Sequence, residues 1–296
     1  MTQEAWPEPI GIIGGGAVGA ALTAALRYAA LSFVGVGTRD ASRVAAWLPS
    51  ALVTSPEAIV ATAKLVFLTV PDSALLATAR AHSWRADQWV AHCAGAMAAE
   101  VLAEAVAPAQ AVAFHPLAAF TRPGSTPPPV LTTAPLAGFV VALDGPETTL
   151  EGLYSLASRL QMRPLRVTAA ARPAYHLAAS LASNMLVALI AEAVEIWRVA
   201  GLDPTLALPA LLPLIASTEA NLARVGLPDA LTGPIARGDV ATIARHLDAL
   251  ATPDLAPIAA TYRLLGQRAV ALALTQGHAD PEHLKAIAEL LARDTP

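Results

Sequence analysis

A glycine-rich turn near the start of the chain limits its fold more than any other feature. The apolar run Pro9–Ile13 leads into Gly14-x-Gly16-x-x-Gly19, and an Ala/Leu-rich helical pattern follows. In this strand–turn–helix setting the glycines allow a tight turn, a close approach of pyrophosphate and close packing of the helix on the strand. The helix N-terminus attracts the phosphates. The stretch predicts a dinucleotide site; the alternative is a glycine-rich turn in a fold that has lost its ligand.

Composition and charge narrow the class of protein. Hydrophobic residues make up 55% of the 296 residues and charged residues 14%, which is enough apolar material for a sizeable core. A net charge of −4 gives no electrostatic case for nucleic acid. The single cysteine, Cys93, excludes an internal disulfide and a thiolate metal cluster, so we expect a packing residue and no metal.

The sequence favours a cytoplasmic protein that does not enter the membrane. The first residues lack the basic region of a signal peptide. The apolar segment Leu177–Ala191 contains two serines and an asparagine, and it is shorter than the ~20 residues of a membrane span.

Apolar runs alternate with helical patterns as far as residue 168. After the first strand the runs cover 31–36, 64–70, 88–92, 111–115, 138–143 and 164–168, with a short one at 52–53. This alternation indicates right-handed βαβ units and a doubly wound, mostly parallel sheet of Rossmann type. A Pro/Thr/Ser-rich stretch at 121–135 predicts a surface loop.

Strand patterns stop after about residue 170. One long helix is predicted from Arg172 to Ala200, and further helices from 205, 239, 257 and 281. We therefore predict a Rossmann domain at 1–168 that binds NAD(P), followed by an all-α domain at 169–296.

The end of the second strand indicates which dinucleotide binds. NAD sites usually carry an acid there, whereas arginine accommodates a 2′-phosphate. Here Thr38-Arg39 ends the strand and Arg43 follows one helical turn later. Asp40 is the counter-indication, but it is also a suitable N-cap for a helix through Trp47. We expect NADP(H) in preference to NAD(H); the alternative is two solvated surface arginines.

Ligands of open α/β sheets lie beyond the carboxyl ends of the strands. Val70-Pro71, His92 and His115 stand at three such ends, so two histidines are expected beside the nicotinamide. His115 is the stronger candidate because it terminates an apolar strand, although either histidine can be structural. The residues predicted to bind the cofactor are Gly14, Gly16, Ala17, Val18, Gly19, Thr38, Arg39, Arg43, Val70, Pro71 and His92.

The long helix carries a polar stripe at i, i+4, i+7 and i+8. Its members are His176, Ser180, Ser183 and Asn184. Because buried polar groups are costly unless paired, the stripe is expected to face a polar surface. That surface is either a substrate cleft or an ordinary helix–helix contact. A loop with Thr232 and Gly233 can offer backbone amides to a carboxylate, or can simply connect two helices.

The whole chain resembles bacterial proteins that join an NADP-type Rossmann domain to a domain of the DUF2520 family. The segments that carry the resemblance are 11–19, 69–72, 114–117, 175–184 and 231–239. More distantly, the chain is similar to pyrroline-5-carboxylate reductases, ketopantoate reductases and 6-phosphogluconate-type β-hydroxyacid dehydrogenases. The resemblance implies a homodimer formed through the helical half.

Two departures from these families concern the reaction itself. The dehydrogenases use Lys and Asn one turn apart on the long helix; Asn184 matches the Asn, but Ser180 stands in place of the Lys. Their His-x-Ser-Gly motif is His92-Cys93-Ala94-Gly95 here, without the serine. The role of the lysine therefore cannot be transferred to this chain.

The resemblance and these residues together suggest an NADPH-dependent reductase of a small carbonyl or imine acid. His176 is the expected general acid, with His115 beside it. Ser180 and Asn184 are expected to hold the substrate oxygen. Ser183, Thr232 and Gly233 are the further substrate-binding candidates. The alternative is a regulatory or sensor protein that binds NADP(H) without turnover.

Overall fold

The computed structural model describes residues 6–121 and 134–293. The chain divides into two compact units, residues 1–184 and residues 185–296. The first unit contains the sheet and its helices, and the second unit is helical. The predicted order, a Rossmann-type sheet followed by helices, is confirmed.

Eight strands form one sheet in the order β3-β2-β1-β4-β5-β6-β7-β8. The strands are β1 (Ile10–Ile13), β2 (Phe33–Gly37), β3 (Val53–Thr54), β4 (Leu65–Leu68), β5 (Trp89–His92), β6 (Gln110–Pro116), β7 (Val140–Asp144) and β8 (Arg163–Arg166). Neighbouring strands are parallel except for β6 and β7. The carboxyl ends of β1, β2, β4, β5 and β6 therefore share one edge of the sheet.

Helices cover both faces of this sheet, as its apolar strands require. The helices of the first unit are α1 (Ala17–Tyr28), α2 (Ser42–Ala45), α3 (Pro56–Thr62), α4 (Leu75–Arg80), α5 (Ala103–Val106), α6 (Glu147–Arg159) and α7 (Arg172–Ala182). Alternate side chains of one strand enter opposite cores: Leu65 and Phe67 pack with α1 and α6, while Val66 and Leu68 pack with α3, α4 and α5. This period-two alternation is what a doubly wound sheet needs.

Two local predictions are corrected by the structure. The helix expected from Asp40 through Trp47 is the four-residue α2, because the chain leaves the helical conformation before Pro49. The long helix expected from Arg172 to Ala200 is interrupted at Ser183, where φ is −122° and ψ is −72°. The predicted loop at 121–135 lies almost entirely outside the described residues.

The second unit packs its helices around two small apolar clusters. Its helices are α8 (Asn184–Val199), α9 (Pro204–Val225), α10 (Val240–Ala249), α11 (Ala256–Gln276) and α12 (Pro281–Ala292). Ile243, Val270 and Leu284 lie in one cluster, and Leu250 with Ile258 lie in the other. The predicted starts of α9 to α12 agree with the structure to within one residue.

Two helical stretches are long and apolar enough to cross a membrane by length and composition alone. They are Ala169–Val199, which includes the interruption at Ser183, and Pro204–Val225. In their most apolar windows, 0% and 6% of the residues are buried. Much of the apolar surface of α8 and α9 is therefore uncovered in the single chain.

Candidate active site at the carboxyl edge of the sheet

The glycine turn after β1 wraps around Thr69. The Thr69 hydroxyl donates a 2.7 Å hydrogen bond to the carbonyl of Gly14. Gly14 has φ +119°, and a Cβ there would lie 2.7 Å from the Thr69 carbonyl oxygen. A Cβ on Gly19 would lie 2.7 Å from the Thr69 hydroxyl. These two glycines are thus required by the packing of the turn itself.

Gly16 differs from its neighbours because its surroundings are open. It is the N-cap of α1 and is exposed, and the nearest atom to a Cβ there would be 3.8 Å away. No side chain caps this helix and no acid occupies its first turn. The first-turn amides, which an α-helix leaves without intrahelical partners, include those of Ala17 and Val18. The turn therefore presents free backbone N–H groups and the positive end of the helix dipole to an anion.

The polar residues after β2 form a compact exposed group. The carboxylate of Asp40 accepts a 3.1 Å bond from the Ser42 amide, and it lies 3.3 Å from Nε of Arg43. The hydrogen bond from Ser42 and the charge of Arg43 hold the pKa of Asp40 below its usual value. The predicted N-cap role of Asp40 is wrong: Ala41 is the N-cap of α2, and Asp40 instead bonds Ser42, the first residue of the helix. Arg39 is exposed directly before Asp40. Val70 and Pro71 follow the end of β4 at this edge.

His92 is fully buried, and both ring nitrogens bond the loop that follows β5. Nδ1 accepts from the Ala94 amide at 3.3 Å, so Nε2 carries the proton and donates to the Ala98 carbonyl at 3.0 Å. Burial lowers the pKa of His92, which keeps the ring neutral. A cofactor contact predicted for this residue would therefore have to come from its backbone.

Cys93 is an inert packing residue. Burial raises the pKa of its thiol to about 12, so the thiolate is absent at neutral pH. Cys93 is partly buried and packs against one of the two apolar cores of the sheet.

A cluster of two histidines and a tyrosine surrounds the loop after β5. Nδ1 of His115 lies 2.9 Å from the Tyr175 hydroxyl, and its ring is edge-on to the ring of His176 at 5.9 Å. A Cβ on Gly95 would collide with Nδ1 of His176 and lie 2.9 Å from Nε2 of His115. The absence of a side chain at Gly95 thus allows the two histidines to approach the loop.

His115 and His176 differ in their surroundings. His176 is exposed at the start of α7, whereas His115 is partly buried at the end of β6. Burial, followed by the nearby His176 and Arg172, lowers the pKa of His115 to about 4. His115 is therefore neutral at neutral pH and can donate through one ring nitrogen and accept through the other.

Three residues of this region are not predicted from sequence as site residues: Tyr175, Arg172 and Asp144. Arg172 is fully buried, and its Nε lies 3.5 Å from the Asp144 carboxylate. Tyr175 directly precedes His176, and this adjacency is the available signal. Arg172 stands out in the sequence only as the start of the predicted long helix, and no local pattern links it to Asp144.

The remaining predicted site residues differ in their exposure. Ser180 and Ser183 are half-buried, and Asn184 is exposed at the start of α8. In the second unit, Thr232 is exposed and Gly233 has φ +92°. Their assignment to substrate stays a prediction. Among residues 6–121 and 134–293, no group of His, Cys, Asp or Glu side chains is arranged to hold a metal ion.

Two family models match the sequence. A Rossmann-like domain matches residues 6–117, and a domain of unknown function, DUF2520, matches residues 139–269. A comparison with curated proteins finds no match.

Solved structures share the fold over nearly the whole chain. A proposed NADP oxidoreductase from Bacteroides fragilis aligns with a TM-score of 0.70 at 22% identity, covering 90% of this chain and 99% of that chain. A 1-pyrroline-5-carboxylate reductase from Streptococcus pyogenes aligns at 0.59 and 14% identity, covering 95% and 98%. An imine reductase from a Pseudomonas species aligns at 0.59 and 16%, covering 90% and 96%. The chain belongs to the proteins that join a Rossmann-like domain to a DUF2520 domain.

Proposed function

We propose that the protein is an NAD(P)-dependent reductase that delivers a hydride to a small acid bearing a carbonyl or imine group. The observation that carries the proposal is the shared sheet edge: the glycine turn follows β1, while Gly95 and His115 lie at the ends of β5 and β6. A dinucleotide turn and proton-handling groups at one edge are what such a reaction needs. The names of the structural neighbours support the proposal by analogy of fold.

The residues at the turn fit a dinucleotide. The open space at Gly16 and the uncapped start of α1 would receive the pyrophosphate. Thr38, Arg39 and Arg43 would hold the adenosine ribose, and the guanidinium forks favour the 2′-phosphate of NADP(H) over NAD(H). When bound, the nicotinamide supplies the hydride.

The protein supplies the proton and the orientation of the substrate. His176 is exposed beside His115 and is the proposed general acid. His115 stays neutral, so its role is to hydrogen-bond and orient rather than to carry charge. Tyr175 fixes the direction of the His115 ring through Nδ1.

Substrate contacts are proposed on chemical grounds. The Ser180 hydroxyl and the Asn184 amide can donate to a carbonyl or imine substrate, with Ser183 as a further contact. Thr232 and the amide of Gly233 can bind a carboxylate.

The test begins with titration of the purified chain by NADPH and NADH, followed by NADPH absorbance with a panel of 2-oxo acids and cyclic imines. NADPH is expected to bind about tenfold more tightly, a preference that Arg39→Ala/Arg43→Ala removes. His176→Ala is expected to lower kcat about 100-fold without changing NADPH affinity. The matched control is His278→Ala, an exposed histidine of the second unit.

Each outcome separates the candidates. Tight NADPH binding without oxidation by any member of the panel would favour a regulatory or sensor protein. Absence of NADPH binding would overturn both interpretations of the turn. Unchanged turnover in His176→Ala would remove the general-acid assignment and leave the reductase in place.

We also propose that the uncovered apolar surface of the second unit binds a second copy of the chain in a soluble, cytoplasmic homodimer. Val187 and Leu214 are 68% and 63% exposed on α8 and α9. Exposed apolar patches of this kind mark interaction sites. The other partner is a small-molecule substrate, and neither nucleic acid nor membrane is required.

A further inference from the structure

Arg172 is the one Arg, Lys, Asp or Glu side chain that is buried in the described part of the chain. Its exposure is 0%, and its three guanidinium nitrogens have no hydrogen-bond partner among the described residues. Its ion-pair partner is the Asp144 carboxylate, 3.5 Å from Nε. A buried cation costs on the order of several kcal/mol unless an opposite charge offsets the cost. A buried arginine of this kind therefore points to a role other than stabilising the fold.

Asp144 connects β7, the loop after β5 and the start of α7. It ends β7, and its Oδ2 accepts a 2.9 Å bond from the Ala99 amide. The preceding residue, Ala98, binds Nε2 of His92 through its carbonyl. The Asp144 carboxylate therefore contacts both the end of the loop after β5 and Arg172, the first residue of α7.

The same helix turn carries the candidate catalytic groups. Tyr175 and His176 lie three and four residues after Arg172, which puts them on the same side of α7. His176 and His115 both approach Gly95, in the loop whose far end binds Asp144. The Arg172–Asp144 pair thus connects both sides of the cluster.

We propose that the buried Arg172 and the half-buried Asp144 form a positioning pair, which holds Tyr175 and His176 against His115 and the loop at Gly95. The positioning role follows from the geometry, and it rests on the proposed function only in taking the reaction at this cluster to be a reduction. Neither residue is assigned a contact with substrate or cofactor.

Charge supports the same assignment. The groups that act on His115 are Tyr175 through its hydrogen bond and His176, Arg172 and His92 through their charges. The positive charge of Arg172 opposes protonation of His115 and of His92, after burial as the main cause of their lowered pKa values. Burial lowers the pKa of Arg172 itself, and Asp144 opposes that shift. Arg172 thereby opposes protonation of the two histidines behind His176, whereas the charge of Asp144 acts in the opposite direction on His92.

The test compares Arg172→Met, Asp144→Asn and the double variant in the full chain. Histidine ring resonances are followed by NMR during a pH titration, and the His115–Tyr175 ring contact is followed by its NOE. In Arg172→Met, His115 is expected to take up its proton at higher pH than in the wild type, and the NOE is expected to weaken at least twofold. In urea, the double variant is expected to unfold at a higher midpoint than Asp144→Asn, because no cation is then left unpaired.

The matched control is the exposed pair Arg166–Glu147, whose side chains are 49% and 76% exposed. Arg166→Met and Glu147→Gln should leave the His115 titration and the NOE as in the wild type. If Arg172→Met fails to fold, Arg172→Lys replaces it in the test, because lysine keeps the positive charge on a shorter side chain. It is expected to retain the wild-type titration with a weaker NOE.

Two results would overturn the positioning pair. One is a His115 titration and an NOE that are the same in Arg172→Met as in Arg166→Met. The other is additive loss of stability in the double variant. In separate titrations, the affinity of each variant for NADPH is expected to differ from that of the wild type by less than about twofold. Loss of NADPH binding already in the wild type would count against the reductase and not against the pair.

Discussion

Burial gives two adjacent histidine rings different chemistry. His115 ends a strand and is partly buried, so its neutral form is favoured; His176 starts a helix at the surface. Desolvation acts on the charged form of a ring and leaves its hydrogen-bonding ability intact. One histidine can therefore orient a partner by hydrogen bonding while the other remains accessible at the surface.

The stability of the fold should reveal the lowered pKa of His115. The folded ring takes a proton at a pKa of about 4, against 6.5 in the unfolded chain. Between these values the unfolded state binds the proton and the folded state does not, so stability is lost as pH falls from 6.5 to 4. The loss from this residue is at most about 3 kcal/mol, and it is constant below pH 4.

The measurement is urea unfolding of the wild type and of His115→Gln across that pH range. His115→Gln keeps a side chain that can bond Tyr175, and it is expected to flatten the fall in unfolding free energy. His278→Gln, at an exposed position, reports the effect of losing any histidine. Parallel curves for the wild type and His115→Gln would contradict the prediction.

Single residues can be predicted where chemistry is local. His115 stands out because it ends an apolar run, and His176 because it lies on a polar stripe. Tyr175 receives no role from sequence because its partner is 60 residues away along the chain. The Arg172–Asp144 contact depends in the same way on how β7 and α7 meet, which no pattern within either segment encodes.

At the scale of elements, the glycines of the strand–turn–helix unit have two different roles. Some are needed for the packing of the turn, and one leaves space for a ligand. Gly14 has a positive φ and touches the backbone of Thr69. Gly16 has an extended backbone, and no atom would lie within 3.4 Å of the Cβ of an alanine there. Alanine at the two sites should therefore fail in different ways.

Gly14→Ala is expected to destabilise the fold by about 2 kcal/mol, because the strained φ and the collision with Thr69 act together. Gly16→Ala is expected to keep the wild-type unfolding midpoint and to weaken NADPH binding at least about tenfold, because the methyl group occupies the approach to the pyrophosphate. Thermal unfolding and NADPH fluorescence separate the two effects. An equal loss of stability in both variants would show that Gly16 is also structural.

The elements themselves follow from periodicity, with one informative failure in the long helix. Apolar runs identify the buried strands because both faces of a doubly wound sheet are covered. The sequence predicts a continuous helix at 172–200 because the stretch is rich in alanine and no glycine or proline interrupts it after Pro173. The interruption at Ser183 coincides with the end of the first compact unit, a property of tertiary packing that helix propensity does not carry.

At the scale of the whole molecule, the second unit is unusual for the apolar surface it exposes. Leucines and valines on α8 and α9 are uncovered, while the polar side of α8 carries Glu192 and Glu195 with Arg198. Helices that bind anionic membrane surfaces present Lys and Arg on the polar side. The acidic character of α8 therefore favours a protein partner, and a second copy offers the same apolar surface in a self-complementary arrangement.

Light scattering after size exclusion is expected to give twice the 30.4 kDa of one chain. Val187→Glu/Leu214→Glu is expected to shift the protein to the monomer at micromolar concentration, because charges buried in an apolar interface remain unpaired. Leu76→Glu, on the exposed side of α4 in the first unit, is the matched control and should stay dimeric. A monomeric wild type that sediments with phosphatidylglycerol vesicles would instead assign this surface to lipid, and a dimer unaffected by the double substitution would move the interface elsewhere.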